Sequence, residues 1–593
     1  MEIPQELFEL GVTSLDQTEL NLAGNDLTSL PDWIGNLTKL KKLDLDNNNL
    51  TSLPDWIGNL TKLDELEVAG NNLTSLPESI GNLKKLEKLR LGKNNLEYLP
   101  ESIGNITKLE YLTLQENKLT SLPESIGNLT KLEKLDLREN RITSLPESIG
   151  NLTKLENLDL DGNKLEELPE SFGNLTNLEI LDLRKNDLTS LPESIGNLTN
   201  LEKLNSEHTN LTQLPESLGN LTNLEKLFLR GSNLTRLPES IGNLTKLEGL
   251  YLGGDKLEEL PESIGKLTNL EKLDLDGNKL EELPESFGNL TNLEKLWLKN
   301  NNLTQLPESF GNLTNLEELF LRGSNLTRLP ESFGNLTNLE ILDLRKNDLT
   351  QLPESIGNLT NLTGLYLSKN KLTSLPDWIG NLTELETLDL YYNNLYSLPK
   401  SLMGLEALYK LYLVGNDLSE LPEDYFNDKK SNYDFFYDDY EDDEDIDYEV
   451  AKLEYKIFGD SEYVSYSGDD DIDEIIQGYA KYTCNLKEHK TKECAKCLYM
   501  YGNRYNKENA KTIKDKVNKM IEEMDEVTKA FLCNSLYENG YGFKPEEKCE
   551  ACEMYGYWDN TPEDCFCDKL NENNLACDIG SPFMYDLPKL FPY

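Results

Sequence analysis

From Gln17 to about residue 427 the chain repeats one arrangement of apolar and polar positions every 23 residues. The copy that opens at Leu40 reads LKKLDLDNNNLTSLPDWIGNLTK, and later copies open at Leu63, Leu86 and so on to Leu408. A first copy opens at Gln17 in the same register, which makes 18 units with no insertion. Within a unit, Leu43 and Leu45 flank Asp44, the two-residue alternation of a strand with one buried side. Asn48 stands where the chain leaves that strand. Its amide both donates and accepts, so stacked copies predict a ladder of side-chain bonds to backbone groups. Leu50 and Leu53 follow, and Pro54 opens a short helical turn, where its missing N–H costs nothing. Ile57 and Leu60 point inward from that turn, and Gly58 lets the chain turn back. One unit cannot bury its apolar side alone, so the pattern predicts a stack.

The phrase LxxLxLxxNxLxxLPxxIxxLxx, kept by the units throughout, resembles the 23-residue class of leucine-rich repeats found in intracellular scaffolds of the Scribble and Erbin kind. The resemblance covers most of the chain. It implies an α/β horseshoe solenoid with a parallel sheet on the concave face and short helical turns on the convex face. At a strand spacing of about 4.8 Å, 18 strands would span an arc on the order of 80 Å. Residues 1–16 read as an N-terminal cap, since Ile3-Pro4, Leu7 and Leu10 echo the second half of a unit and one end of the core must be hidden. The solenoid proper is 17–427.

Several units are nearly identical: LDLDGNKLEELPESFGNLTN occurs at Leu158 and Leu273, and FLRGSNLTRLPES at Phe228 and Phe320. Function is therefore sought where units differ. The strand position between the two leucines reads Asn21, Asp44, Glu67, Arg90, Thr113, Asp136, Asp159, Asp182 and Asn205 in units 1–9. In units 10–18 it reads Phe228, Tyr251, Asp274, Trp297, Phe320, Asp343, Tyr366, Asp389 and Tyr412. The next position on the same side adds Arg230, Lys299, Arg322, Arg345 and Tyr391. Strand alternation turns these side chains away from the core, and aromatic and Arg side chains are what interface centres are enriched in. A general liking of strands for aromatics does not explain their confinement to one half. The candidate binding residues are thus Phe228, Arg230, Tyr251, Trp297, Lys299, Phe320, Arg322, Arg345, Tyr366, Tyr391 and Tyr412, with Asp274, Asp343 and Asp389 expected to add polar specificity. The ladder Asn is replaced by Thr209, Ser232, Asp255 and Ser324, and Ser206 stands where a buried Leu belongs. Three of the four fall in successive units, residues 201–269, where they either weaken the ladder and permit a local change of curvature or are neutral drift in a redundant array.

Charge excludes some partners. Lys and Arg number 58 against 107 Asp and Glu, a formal net charge of −49, which opposes nucleic acid and anionic lipid. The opening MEIPQELFEL has no basic stretch followed by an apolar run, and no run approaches the roughly 20 residues of a membrane span. The expectation is a soluble, cytoplasmic protein with no membrane span. Asn-Leu-Thr triplets such as those at Asn36 and Asn59 are formal glycosylation sequons but follow from the repeated phrase. Asp159 to Glu170 imitates a calcium loop, yet Lys164 occupies the place that needs Gly. No GxSxG, P-loop or HExxH occurs, and of the two histidines, His208 and His489, the first has no nucleophile beside it and reads as a surface residue. The array is expected not to be an enzyme.

Beyond the solenoid, 428–469 reads as an acidic, aromatic linker: residues 434–449, DFFYDDYEDDEDIDYE, hold ten acids and five aromatics. It is either a solvated spacer or a docking strip. All nine cysteines fall in the last fifth of the chain, which marks 470–593 as a small, mostly helical Cys-rich domain with an amphipathic helix over 505–536. Cys484, His489, Cys494 and Cys497 are a plausible set of ligands for a structural zinc. Disulfides compete with that assignment and would leave one thiol over, and free thiols are the third alternative. The leading function is a protein-binding scaffold that uses its concave face. The alternatives are a substrate-selecting effector whose Cys-rich domain is ubiquitin-ligase-like, and a disulfide-bonded surface recognition protein.

Overall fold

The structure is a computed structural model that describes residues 14–413, with residues 415, 416 and 418. The greater part of the cap, the linker 428–469 and the whole of 470–593, including Cys484, His489, Cys494 and Cys497, lie outside the described residues. Among the described residues the chain divides into a first body, holding 14–389, 393–411 and 418, and a second, holding 390–392, 412, 413, 415 and 416.

The period of 23 becomes a stack of identical turns. Eighteen strands of three residues, from Glu19–Asn21 to Lys410–Tyr412, belong to one parallel sheet. Strand pairs with strand without a shift in register: Leu43 lies opposite Leu20 on one side and Leu66 on the other. The chain returns from strand to strand through five-residue turns such as Asp55–Asn59, preceded by Pro54 at φ −73° and ψ 156°. These turns are 3-10 rather than α-helical. Five residues between a proline and the approach to the next strand are too few to propagate an α-helix, and the tighter 3-10 hydrogen bond fits that length.

Leu43, Leu45, Leu50, Ile57, Leu60 and Leu63 are fully buried, and Leu53 nearly so. Each such side chain contributes about 1.5–3 kcal/mol on burial. Phenylalanine replaces the Ile of the 3-10 turn at Phe172, Phe287, Phe310 and Phe333, all fully buried. The last three stack in series at 6.1 and 6.0 Å between ring centroids. Gly58 has a different role from the one its sequence suggests. A Cβ on it would stand 2.5 Å from the Ser79 carbonyl oxygen of the next turn, so glycine is required by the approach of neighbouring turns and not by a reversal of the chain.

The ladder forms as the sequence predicts. Asn140 donates through Nδ2 to the carbonyls of Leu114 at 2.9 Å, Leu137 at 3.0 Å and Arg138 at 3.2 Å, and its Oδ1 accepts the Leu119 N–H at 3.0 Å. One side chain thereby satisfies backbone groups in two successive units. In units 9 and 10 hydroxyls do less: Thr209 donates to the Ser206 carbonyl at 2.9 Å and lies 3.2 Å from the Ser232 hydroxyl. Ser206 is fully buried in the place of a leucine. In unit 11 Asp255 accepts the Leu234 N–H at 3.2 Å through Oδ1, while its buried Oδ2 has no hydrogen-bond partner. Burial pushes this carboxyl up to about 7, against the pull of the Leu234 and Ser232 N–H groups.

That carboxyl ties stability to pH. Its folded pKa of about 7 lies above the unfolded value, so its contribution is intact below about pH 4 and is lost as pH rises towards 7. Asp255→Asn, which restores the ladder amide, is expected to raise stability at pH 8 by on the order of a few kcal/mol and to have less effect at pH 5. Urea unfolding at the two pH values measures this. Equal gains at both would show that Asp255 is not held protonated.

Candidate binding face

Because strands are in register, a side chain on the open side of the sheet meets the same position of the units before and after it. In the first eight units this face is a network of ion pairs. Arg138 grips Asp136 with two bonds of 3.0 and 2.9 Å, and Arg184 grips Asp182 through Nε at 2.9 Å and Nη2 at 2.8 Å. Lys42 and Arg90 both reach Glu67, at 3.3 and 3.2 Å. Burial, with Asp182 and Asp136 on either side, pushes Asp159 up to about 6 against the Asp161 N–H and Arg138. Asp44, Asp46 and Glu67 bring carboxylate oxygens within 4.8 Å of one another. Lys42 and Arg90 neutralise Glu67 in this trio, and Asp46 accepts the Ala69 N–H at 2.6 Å.

From unit 10 the face changes. Phe228 and Tyr251 stack at 4.5 Å with their planes 2° apart, and Trp297 and Phe320 stack at 6.2 Å and 4°. All four rings and Tyr366 are half-buried. Cations lie over them: Lys203 over Phe228 at 5.2 Å, Arg230 over Tyr251 at 5.8 Å, Lys299 over Phe320 at 4.6 Å and Arg345 over Tyr366 at 5.2 Å. Such contacts are worth about 0.5–2 kcal/mol each, more as water is excluded. Arg322 is half-buried, two residues after Phe320 on the same side of the sheet. In the second body Tyr391 and Tyr412 are half-buried, and Tyr391 meets Tyr392 edge-on at 4.5 Å.

The acids of this column do not face outward as the sequence suggests. Asp274 and Asp343 are 0% exposed and Asp389 is buried. Arg230 crosses the Tyr251 ring and bonds Asp274 two units on through both Nε and Nη2. Arg345 holds Asp343 by two bonds of 2.8 and 2.6 Å. Asp274 and Asp343 are therefore each the anchor of an arginine that lies on a neighbouring ring, and are themselves out of reach of a partner. Lys203 escapes the sequence pattern because it precedes the aromatic half by one unit. Gly249 and Gly364 escape it as well: a Cβ on either would stand 2.9 Å from the Tyr251 or Tyr366 ring, two residues on in its own strand. The glycine clears a bed for the ring. The phrase Gly-Leu-Tyr-Leu, which occurs at both places, is the available signal.

A family model described as a leucine-rich repeat region matches residues 18–95, 66–140, 92–185, 134–209, 173–256, 250–324 and 319–427. The chain belongs to the leucine-rich-repeat family. Among solved structures, a leucine-rich-repeat protein of Leptospira interrogans is similar at 35% identity and TM-score 0.54, over 67% of this chain and 94% of that one. The leucine-rich-repeat ectodomain of the Arabidopsis receptor kinase HAESA, in complex with an IDA peptide hormone ligand, is similar at 32% identity and TM-score 0.52, over 67% of this chain and 70% of that one. The ectodomain of the Arabidopsis thaliana receptor kinase GASSHO1, in complex with Casparian strip integrity factor 2, is 35% identical at TM-score 0.50, over 66% of this chain and 52% of that one. No curated protein matches the chain. Among its described residues, this leucine-rich-repeat chain has no helix long and apolar enough to cross a membrane.

The arginine anchors carry a stability prediction. Asp343→Ala takes the bidentate acceptor from Arg345, whose side chain is only 14% exposed. A loss on the order of 3 kcal/mol is expected, and the double change Asp343→Ala/Arg345→Ala should cost less than the single one. A double-mutant cycle by urea unfolding checks this, and additivity of the two changes would refute the coupling.

Proposed function

We propose that the chain is a protein-recognition module that holds its partner on the open sheet face from unit 10 onward. Its site residues are Phe228, Arg230, Tyr251, Trp297, Lys299, Phe320, Arg322, Arg345 and Tyr366, with Tyr391 and Tyr412 continuing the column in sequence. The observation that carries this reading is the pair of stacked aromatic couples, half-buried and capped by cations, on a face whose other half is closed by ion pairs. Rigid rings contribute large contact area at little entropic cost, and aromatic and Arg side chains dominate the energetics of protein interfaces. The similar ectodomains of HAESA and GASSHO1 are in complex with a peptide hormone and with Casparian strip integrity factor 2, which supports the same use of this fold here. The function is that of a scaffold without chemistry of its own. The resemblance of its units to those of intracellular scaffolds favours a cytoplasmic setting.

The full chain, immobilised, would capture a partner, and its affinity for single variants would then be measured by calorimetry. Trp297→Ala and Phe320→Ala are each expected to weaken binding by about 30-fold, the equivalent of about 2 kcal/mol. Thr113→Ala, at the same strand position of the opposite half, should change it by less than about twofold. Full affinity in the Trp297→Ala/Phe320→Ala double variant would rule out this face.

A further inference from the structure

We infer that the occupant of this face is an extended, acidic segment of a partner protein, crossing the strands with two apolar side chains four or five residues apart. The inference rests on the recognition reading and specifies the chemistry recognised there.

Charge is the first ground. The chain carries −49 overall, yet the leading strand position of units 9, 10, 12 and 13 is Lys203, Lys226, Lys272 and Lys295. Lys295 pairs with Glu318, whereas Lys203, Lys226 and Lys272 meet no carboxylate among the described residues. Arg230 and Lys299 add positive charge over the rings beside this row. Arg230 is paired with buried Asp274 and Lys299 with Asp276, so the charge left unpaired along this row is that of Lys203, Lys226 and Lys272. A ligand approaching units 9–14 thus meets cations and rings. On the same face of the first eight units the acids, Asp44, Asp46, Asp159 and Asp161 among them, outnumber the cations that pair with them, such as Lys42, Arg138 and Arg184, so that half disfavours an acidic chain.

Geometry is the second ground. The couples Phe228–Tyr251 and Trp297–Phe320 are each flanked by a cation, and their midpoints are three strands apart. Three strand spacings come to about 15 Å, and an extended chain advances about 3.3 Å per residue, so two anchors four or five residues apart reach both couples. Between the couples the strand of unit 12 carries buried Asp274, bonded by Arg230, at the position where the couples carry rings, so the face offers no third ring there. Carboxylates on the intervening residues would lie along the lysine row, where charge-assisted hydrogen bonds form.

Fluorescence anisotropy with the full chain and labelled synthetic peptides tests this. The probe is a 14-residue glutamate-rich peptide with two phenylalanines five positions apart. Its companions replace every Glu by Gln, replace every Glu by Lys, or set the phenylalanines two positions apart. The acidic, five-spaced peptide should bind at least about tenfold tighter than each companion, and more weakly as salt rises. It should lose about tenfold or more in Lys203→Gln/Lys226→Gln/Lys272→Gln, and tens of fold in Trp297→Ala/Phe320→Ala.

No binding of the acidic peptide at millimolar concentration, equal binding of any companion, or displacement by a single-stranded oligonucleotide would overturn the inference. The residues 434–449, with ten acids and five aromatics, are the intrachain competitor. If replacing their acids by Gln in the full chain raises affinity for the peptide tenfold or more, the occupant is the chain's own segment and an external one is refuted. A captured partner that still depends on Trp297 and Phe320 while the acidic peptide fails would sink this inference and leave the recognition reading standing.

Discussion

The buried polar backbone at the strand exit is the constraint from which the rest follows. Each unit must leave its strand inside the core, where N–H and C=O groups have no water. The ladder asparagine meets that demand with bonds that reach 21 and 26 residues back, as Asn140 does to Leu119 and Leu114. A side chain that must bond its own unit and the one before fixes the offset between them. An inserted residue would leave several buried groups unpaired, each at about 1–3 kcal/mol. The unbroken period of 23 and the unshifted register of the strand pairs are consequences of that rung.

An invariant register turns surface chemistry into columns. A side chain on the open face has as neighbours the same position of the units on either side, so like meets like. Aromatics in successive units stack within 4.5–6.2 Å. Acids in successive units crowd one another: burial first, and then Asp182 and Asp136 beside it, push the Asp159 carboxyl up. The chain manages the second case with Asp-Leu-Arg, in which the arginine two residues on turns back to hold the acid. In the aromatic half the same device acquires another use, since the tethered Arg345 also lies over Tyr366.

The three successive ladder replacements sit at the junction of these two faces. Thr209, Ser232 and Asp255 occupy units 9–11, where the ion-paired half ends and the first aromatic couple, Phe228 and Tyr251, begins. In a stack held by nearest-neighbour contacts, the interface with the fewest internal bonds is the one that opens most readily. The weakest rungs therefore support the start of the binding face, and Ser206, lying fully buried in place of a leucine, removes apolar contact from the same interface.

Strand, turn, core leucines, ladder and aromatic column are all legible in the sequence, because in a solenoid the spatial neighbour of a residue is found by counting 23. Alternation along a strand then says on which side a side chain lies. It does not say how deeply. Asp274 and Asp343 share that side with Trp297 and Phe320, yet only the packed structure shows them covered by arginines, since the length and reach of Arg230 across two strands is not a periodic property. The need for Gly58 is likewise decided by tertiary approach, that of the next turn, whereas Gly249 and Gly364 answer to a local contact, the tyrosine ring two residues on in the same strand. Periodicity carries the direction of each side chain. The depth, partners and accessibility of that side chain depend on the volumes of its neighbours, and only the folded stack brings those together.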